Sequence, residues 1–347
     1  MQNNRAPFNP EDLSRLPALI SGFRPFGSSA SQYIDNATGA STEICYLGAG
    51  IAGCITNMLV IPYAIAWSDL DDVHLRIYTD LGDVADKSDP TAGKTPGSYQ
   101  LCEIPLDVLL GAAYDPTGPS ATTPRSNDIY ALEQSSTYIC IVFKERILFE
   151  NGVLVQLWNS TARVGLMFSQ AFYCTGSTPV EYQGWRLKSD RNTTAFNKYA
   201  TLAPNETTTF INVASDRGVM RAVFMSLKST EVSAVVGADA CLENNFKWWL
   251  NGASQSGNAT VETSGTEDLF GAGMFYFACG AQGFNDWGVT YKNKVSDNEF
   301  YVEAYRIFPV GDIIWSNGAV GKWKNVPSDD DAPTVQMSLL TLYYAPK

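Results

Sequence analysis

The chain of 347 residues holds a single histidine, His74. A Ser-His-Asp triad or a histidine-based metal site would have to use it, yet no partner motif surrounds it. Val73-His74-Leu75-Arg76-Ile77 reads as a strand, so an ordinary strand histidine is expected. The seven cysteines include no Cys-x-x-Cys pair, which removes the usual zinc and thiol-redox signatures. They are Cys45, Cys54, Cys102, Cys140, Cys174, Cys241 and Cys279, most of them in apolar runs that read as buried, reduced thiols. Basic residues are few, 24 against 36 acidic ones, for a net charge of −12. A nucleic-acid groove needs clustered Lys and Arg, and none is expected here. There is no apolar run long enough to cross a membrane, and the N-terminal MQNNRAPFNPEDLSRLP has neither a basic n-region nor an apolar h-region. No signal peptide, membrane segment, metal or cofactor is expected, and an intracellular, cytoplasmic location fits. A helical period longer than about ten residues is also missing, which argues against a helical fold.

What is present is a core and many turns. Hydrophobic residues make up 45% of the chain, with 17 Tyr, 17 Phe and 8 Trp among 28 Gly and 17 Pro. Short strand patterns recur with turn signals every roughly 8–15 residues, the mark of an all-β sandwich or double jelly roll. The expected division is an arm over 1–30, a first jelly roll over 31–174 and a second over 175–347, two antiparallel β-sandwiches in one chain. Tyr46-Leu47-Gly48-Ala49-Gly50-Ile51-Ala52-Gly53 fits the G-x-G-x-x-G dinucleotide fingerprint. That motif needs a helix next. The following run to Pro62 is instead rich in β-branched residues, so the glycines are expected to turn between two strands and to hold no phosphate.

The most informative stretch runs from Leu242 to Phe277. Phe246, Trp248 and Leu250 alternate with Lys247, Trp249 and Asn251, and Asn251-Gly252 marks a tight turn. Glu243 precedes that pattern, and Glu267 lies beyond the turn, in Gly265-Thr266-Glu267-Asp268-Leu269-Phe270. Both are expected on strands or strand ends, brought together by a hairpin. Two carboxylates so placed are the minimum equipment for glycoside hydrolysis. Read from spacing alone, they are equally two of many surface acids.

This stretch resembles glycoside hydrolase family 172, a double jelly-roll family whose pattern runs L-E-G-D-x-x-x-x-x-D-G and then G-T-E-D-Y-F. Leu242, Glu243 and Gly252 match the first block; Gly265, Thr266, Glu267, Asp268 and Phe270 match the second. Weaker echoes occur at Leu75–Asp80, at Cys102–Asp107, at Trp185-Arg186 and at Tyr305-Arg306. The chain departs from the pattern at Asn244, Asn245, Asn251 and Leu269, and Tyr182 and Phe308 stand where the family often has histidine. The resemblance implies a retaining furanosidase acting on α-fructofuranosyl or arabinofuranosyl linkages. Glu243 would be the nucleophile and Glu267 the acid/base. Trp248, Trp249, Asp268, Arg186 and Arg306 are the candidates for contacts with a carbohydrate substrate, and association as homotrimers or larger assemblies is implied. The alternative is structural, because many viral major capsid proteins are double jelly rolls that assemble as trimers, which would place the chain in a virion. A shell has no evident need for two retained glutamates, whereas the eroded positions around them suit it.

Overall fold

The computed structural model describes residues 21–26, 40–63, 67, 70, 73–115, 125–134, 139–159, 165–176, 183–193, 199–230, 241–242, 244–270, 282–283, 286–296, 298–308, 312–325 and 333–347. In the first half the strands are β1 Ser21–Phe26, β2 Ala40–Leu47, β3 Gly53–Tyr63, β4 Val73–Thr79, β5 Gln100–Pro105, β6 Arg125–Ser126, β7 Tyr130–Gln134, β8 Ile139–Phe143, β9 Ile147–Phe149, β10 Val153–Asn159 and β11 Gly165–Thr175. In the second half they are β12 Trp185–Arg191, β13 Ala200–Leu202, β14 Thr207–Val213, β15 Gly218–Thr230, β16 Phe246–Leu250, β17 Val261–Glu262, β18 Gln282–Gly283, β19 Trp287–Ser296, β20 Glu299–Ile307, β21 Ile314–Trp315, β22 Ala319–Lys324 and β23 Thr334–Pro346. The helices are α1, Leu106–Leu110, after β5, and α2, Thr266–Leu269, after β17.

The pairing makes this a double jelly roll. One sheet of the first half runs β1-β11-β3-β8-β7-β6, with β9 also on β3; the other runs β2-β10-β4-β5. In the second half one sheet runs β12-β23-β15-β20-β19-β18, with β13 on β23 and β21 on β15; the other runs β14-β22-β16-β17. With β6 to β9 counted as one strand position, and β18 to β21 likewise, both halves share one plan. The first, last, third and sixth positions form one sheet; the second, seventh, fourth and fifth form the other. β13 is the only strand of the second half without a counterpart among the described residues. Every strand pair with a described register is antiparallel, including β11 on β3, where the glycine-rich segment turns and leads into a strand. Gly50 (φ 75°) forms that turn, and its N–H donates to Asn151 Oδ1 at 2.9 Å.

Two compact units partition the chain. One comprises Met1–Leu106, Gly118–Lys188 and Tyr343–Lys347; the other comprises Asp107–Thr117 and Ser189–Leu342. The division falls inside β12, past the 174–175 boundary expected from the sequence, and one segment of each half belongs to the other half's unit. The arm expected over 1–30 lies outside the described residues apart from β1.

Period-2 patterning builds the cores. Val153, Val155 and Leu157 of β10 point one way and Leu154, Gln156 and Trp158 the other; every one of them is buried, as befits an inner strand covered on both faces. In the second unit Phe210, Phe246, Trp248 and Phe270 interlock. Ring centroids lie 5.3 Å apart for Phe210–Phe246, 5.4 Å for Phe210–Trp248 and 5.8 Å for Phe246–Phe270. Each buried ring contributes about 1.5–3 kcal/mol through area removed from water.

The corner joining the fourth and fifth strand positions is built the same way twice. Asp80 (φ 61°) follows β4, and Asn251 (φ 58°) follows β16. Short polar side chains accept this left-handed conformation best. Asp80 N–H donates to Gly152 O at 2.9 Å, and Asn251 N–H donates to Gly318 O at 2.9 Å. Asp80 Oδ1 accepts the N–H groups of Glu150 (2.7 Å) and Asn151 (3.1 Å). Asn251 Oδ1 accepts the N–H (2.6 Å) and Oγ–H (3.0 Å) of Ser316. The segments that supply these partners, Glu150-Asn151-Gly152 and Ser316-Asn317-Gly318, precede β10 and β22.

Candidate functional site

Glu243 lies outside the described residues, as do the side chains of Glu267 and Asp268. The backbone around them is defined, and it differs from the expected hairpin. The strand that returns beside β16 is β17, paired at Lys247↔Glu262 and Trp248↔Val261. Glu267 comes after it, in the one-turn helix α2 rather than on a strand. Four residues carry no detectable period, so the sequence pattern could not reveal that turn.

The ends of this stretch are sewn together by Thr266. Its hydroxyl donates to Asn244 O at 2.6 Å and accepts the indole N–H of Trp323 at 2.9 Å. Asn244 Nδ2 in turn donates to Asn325 Oδ1 at 3.2 Å, and Asn325 Nδ2 donates to Pro333 O at 2.8 Å. Thr266, Asn244, Trp323 and Asn325 are all buried. A buried polar chain of this kind holds only while every member is satisfied. Thr266→Val keeps the shape but leaves the Trp323 N–H without its acceptor. We expect a loss of about 1–3 kcal/mol in denaturant unfolding, largely restored in Thr266→Ser.

Trp248 and Trp249, candidates for contact with a carbohydrate, are both interior. Trp248 is fully buried, and its ring lies 6.3 Å from that of Phe308. Trp249, on the opposite face of the strand, is 9% exposed. It lies beneath the turn that follows β16, to which its Nε1 donates at Gly257 O, 3.1 Å away. Both faces of this strand are therefore covered, whereas alternation alone left one tryptophan open. Arg306 stays partly exposed on β20, opposite Val223 of β15 and Trp287 of β19. Phe308, at a position where the resembled family often has histidine, is buried. Tyr182 lies outside the described residues.

Arg186 belongs to the first unit and is fully buried. Its Nε lies 2.7 Å from Asp80 Oδ2 and its Nη2 3.3 Å from Glu150 Oε2, while Lys347 Nζ approaches Asp80 Oδ2 at 3.6 Å. Burial pushes the Asp80 carboxyl up. The hydrogen bond and charge of Arg186, the Glu150 N–H and the Lys347 ammonium outweigh that, and the net direction is down. The guanidinium thus completes the corner of β4. This pairing is not visible in the sequence, where Asp80 reads as the end of a strand.

His74 is paired as a strand histidine: Nδ1 lies 2.5 Å from Glu103 Oε1. Burial raises the Glu103 carboxyl, but His74 and Arg76 together hold it below its usual value. Among the described residues no cluster of three or more His, Cys, Asp or Glu could hold a metal ion, and no helix is long and apolar enough to cross a membrane.

Superposing the plans of the two halves shows a repeat in the supposed catalytic motif. Leu242-Glu243 precedes β16, and Leu70-Asp71 precedes β4. After the fifth strand position comes Thr266-Glu267-Asp268-Leu269-Phe270-Gly271-Ala272 in one half and Leu106-Asp107-Val108-Leu109-Leu110-Gly111-Ala112 in the other. Leu70 and Leu242 are both buried, as are Leu109, Leu110, Leu269 and Phe270. In each half, the helix after the fifth strand position therefore carries an acidic residue and leads into two buried apolar residues, with Gly-Ala next in sequence.

No protein-family model matches the chain, so its resemblance to glycoside hydrolase family 172 rests on short motifs alone, and no curated protein matches either. Among solved structures the chain is similar to the STIV MCP, at 9% identity over 93% of this chain and 96% of that one, with a TM-score of 0.44. It is similar to a chain of the Sputnik virophage at 13% identity, over 94% and 85%, with a TM-score of 0.31. A further likeness is to N-glycanase F (PNGase F), at 10% identity over 94% and 96%, with a TM-score of 0.36.

Proposed function

We propose that this chain is a non-enzymatic structural protein, a double jelly-roll subunit of the viral major-capsid type that self-associates as a trimer. The observation that supports this reading is the repeat. The acidic motif that resembles a catalytic signature recurs in the other half, at the same turn of the same plan. A recurring element of the strand plan accounts for both copies, whereas a single catalytic pair accounts for one. The nearby side chains that a sugar site would use, Trp248 and Trp249, are buried in the barrel. Two similar barrels per chain also suit a shell. Three chains about a threefold axis present six barrels, a tile with near-hexagonal outline that packs without gaps.

A second reading keeps the retaining furanosidase, with Glu243 as nucleophile and Glu267 as acid/base. One observation favours it: the hydrogen bond from Thr266 to Asn244 O joins the chain neighbours of the two glutamates. Glu243→Gln and Glu267→Gln separate the readings when each is assayed for assembly and for cleavage of an aryl α-arabinofuranoside or α-fructofuranoside. A structural subunit assembles in both variants, and neither they nor the parent chain cleave the substrate. A furanosidase turns over in the parent and stops in Glu243→Gln. It partly survives in Glu267→Gln on good leaving groups, with azide restoring rate.

A further inference from the structure

Cys54 of β3 and Cys174 of β11 are register partners, directly opposite each other on neighbouring antiparallel strands. Opposite residues in such a pair present their side chains to one face, with Cα atoms about 4.5–5.5 Å apart. A disulfide spans Cα separations of roughly 4.4–6.8 Å. The strands run close here, because a Cβ built on Gly53 would lie 2.1 Å from Cys174 O. Both thiols are free. Cys54 is 3% exposed, while Cys174 is partly exposed, so a small reagent reaches the second first. The Cys54 thiol donates a weak hydrogen bond to Ile55 O at 3.3 Å, which disulfide closure would release.

We propose that Cys54 and Cys174 form an oxidisable dithiol site that a low-molecular-weight disulfide converts into a cross-strand staple of the first barrel. The chemistry balances in two exchanges. The Cys174 thiolate attacks one sulfur of oxidised glutathione, forming a mixed disulfide and releasing one glutathione thiolate. Cys54 then loses its proton and attacks the Cys174 sulfur, forming the Cys54–Cys174 bond and releasing the second glutathione. Two protein thiols are oxidised, and one glutathione disulfide is reduced to two thiols. Burial pushes Cys54 up to about 12, with Arg146 pulling it down and Cys174 adding to the rise. The second exchange is therefore the slow one and accelerates with pH. The staple would tie β3 to β11 across a long loop of chain, which restricts the unfolded state.

The test uses the full reduced chain, folded, with excess oxidised glutathione at neutral pH and at about pH 9. Free thiols are then alkylated and the digest is mapped by mass spectrometry without reduction. The expected result is one cross-linked peptide pair joining Cys54 to Cys174, formed faster at the higher pH. It should raise the thermal midpoint by several degrees and be reversed by dithiothreitol. Cys54→Ser should stop at glutathione on Cys174, and Cys174→Ser should give no cross-link. A mixed disulfide on Cys174 that never closes at the higher pH would overturn the proposal, as would pairing with any other cysteine or no reaction at all.

Discussion

Replacing Arg186 by methionine is expected to destabilise the first unit by about 3–5 kcal/mol, as judged from denaturant midpoints. The size follows from what is left behind. Asp80 and Arg186 are both buried, so removing the guanidinium strands a carboxylate in the interior, with only Lys347 and two N–H donors beside it. Asp80→Asn in the same chain should recover much of the loss, because Asn251 shows that a neutral amide serves the equivalent corner without a counterion. The pH dependence has a definite sign. Asp80 titrates lower when folded than when unfolded, so its contribution is fully present above the ordinary aspartate range. It fades as pH falls below about 4, through the depressed folded value. Asp80→Asn should flatten that acid limb.

The second large effect is expected at the paired corner glycines. Gly152 (φ 84°) and Gly318 (φ 79°) sit in the left-handed region. A Cβ on Gly152 would lie 2.8 Å from Leu47 O and 2.9 Å from Gly48 O; one on Gly318 would lie 2.6 Å from Ala214 O and 2.8 Å from Val213 O. These obstacles are backbone atoms and cannot rotate away. Gly152→Val and Gly318→Val should each cost more than about 3 kcal/mol, and limited proteolysis should show the affected unit opening first. Gly93→Ala is the control. It has φ 70° with nothing within 4 Å of the added carbon, so only the backbone preference is lost, about 1 kcal/mol.

The strands were legible in the sequence because period 2 survives in short runs such as Phe246–Leu250 and Glu299–Ile307. The glycine-rich decoy was legible for the same reason: Cys54–Val60 is too β-branched for the helix that a nucleotide loop needs. The duplication was not legible. Equivalent positions differ in identity, Asp80 against Asn251 and Glu150 against Ser316, and only topology aligns them. The pairing of Arg186 with Asp80 was hidden for a related reason. A charged residue far from its partner along the chain looks like a surface group until the fold brings Asp80 within 2.7 Å. Trp249 looked open because alternation shows which face a residue takes, not what later covers it. The similarity between the segments after the fifth strand position, Thr266–Phe270 and Leu106–Leu110, is too eroded to be noticed without the strand order.

The proposed role as a self-assembling structural subunit is open to direct test. The most direct measurement is the mass of the purified full chain in solution, by sedimentation velocity with electron microscopy of the same sample. The expected result is a particle about three times the 37.9 kDa chain that goes on to form sheets or closed shells. A monomer that remains so at high concentration, and that cleaves an aryl furanoside in a Glu243-dependent way, would contradict it.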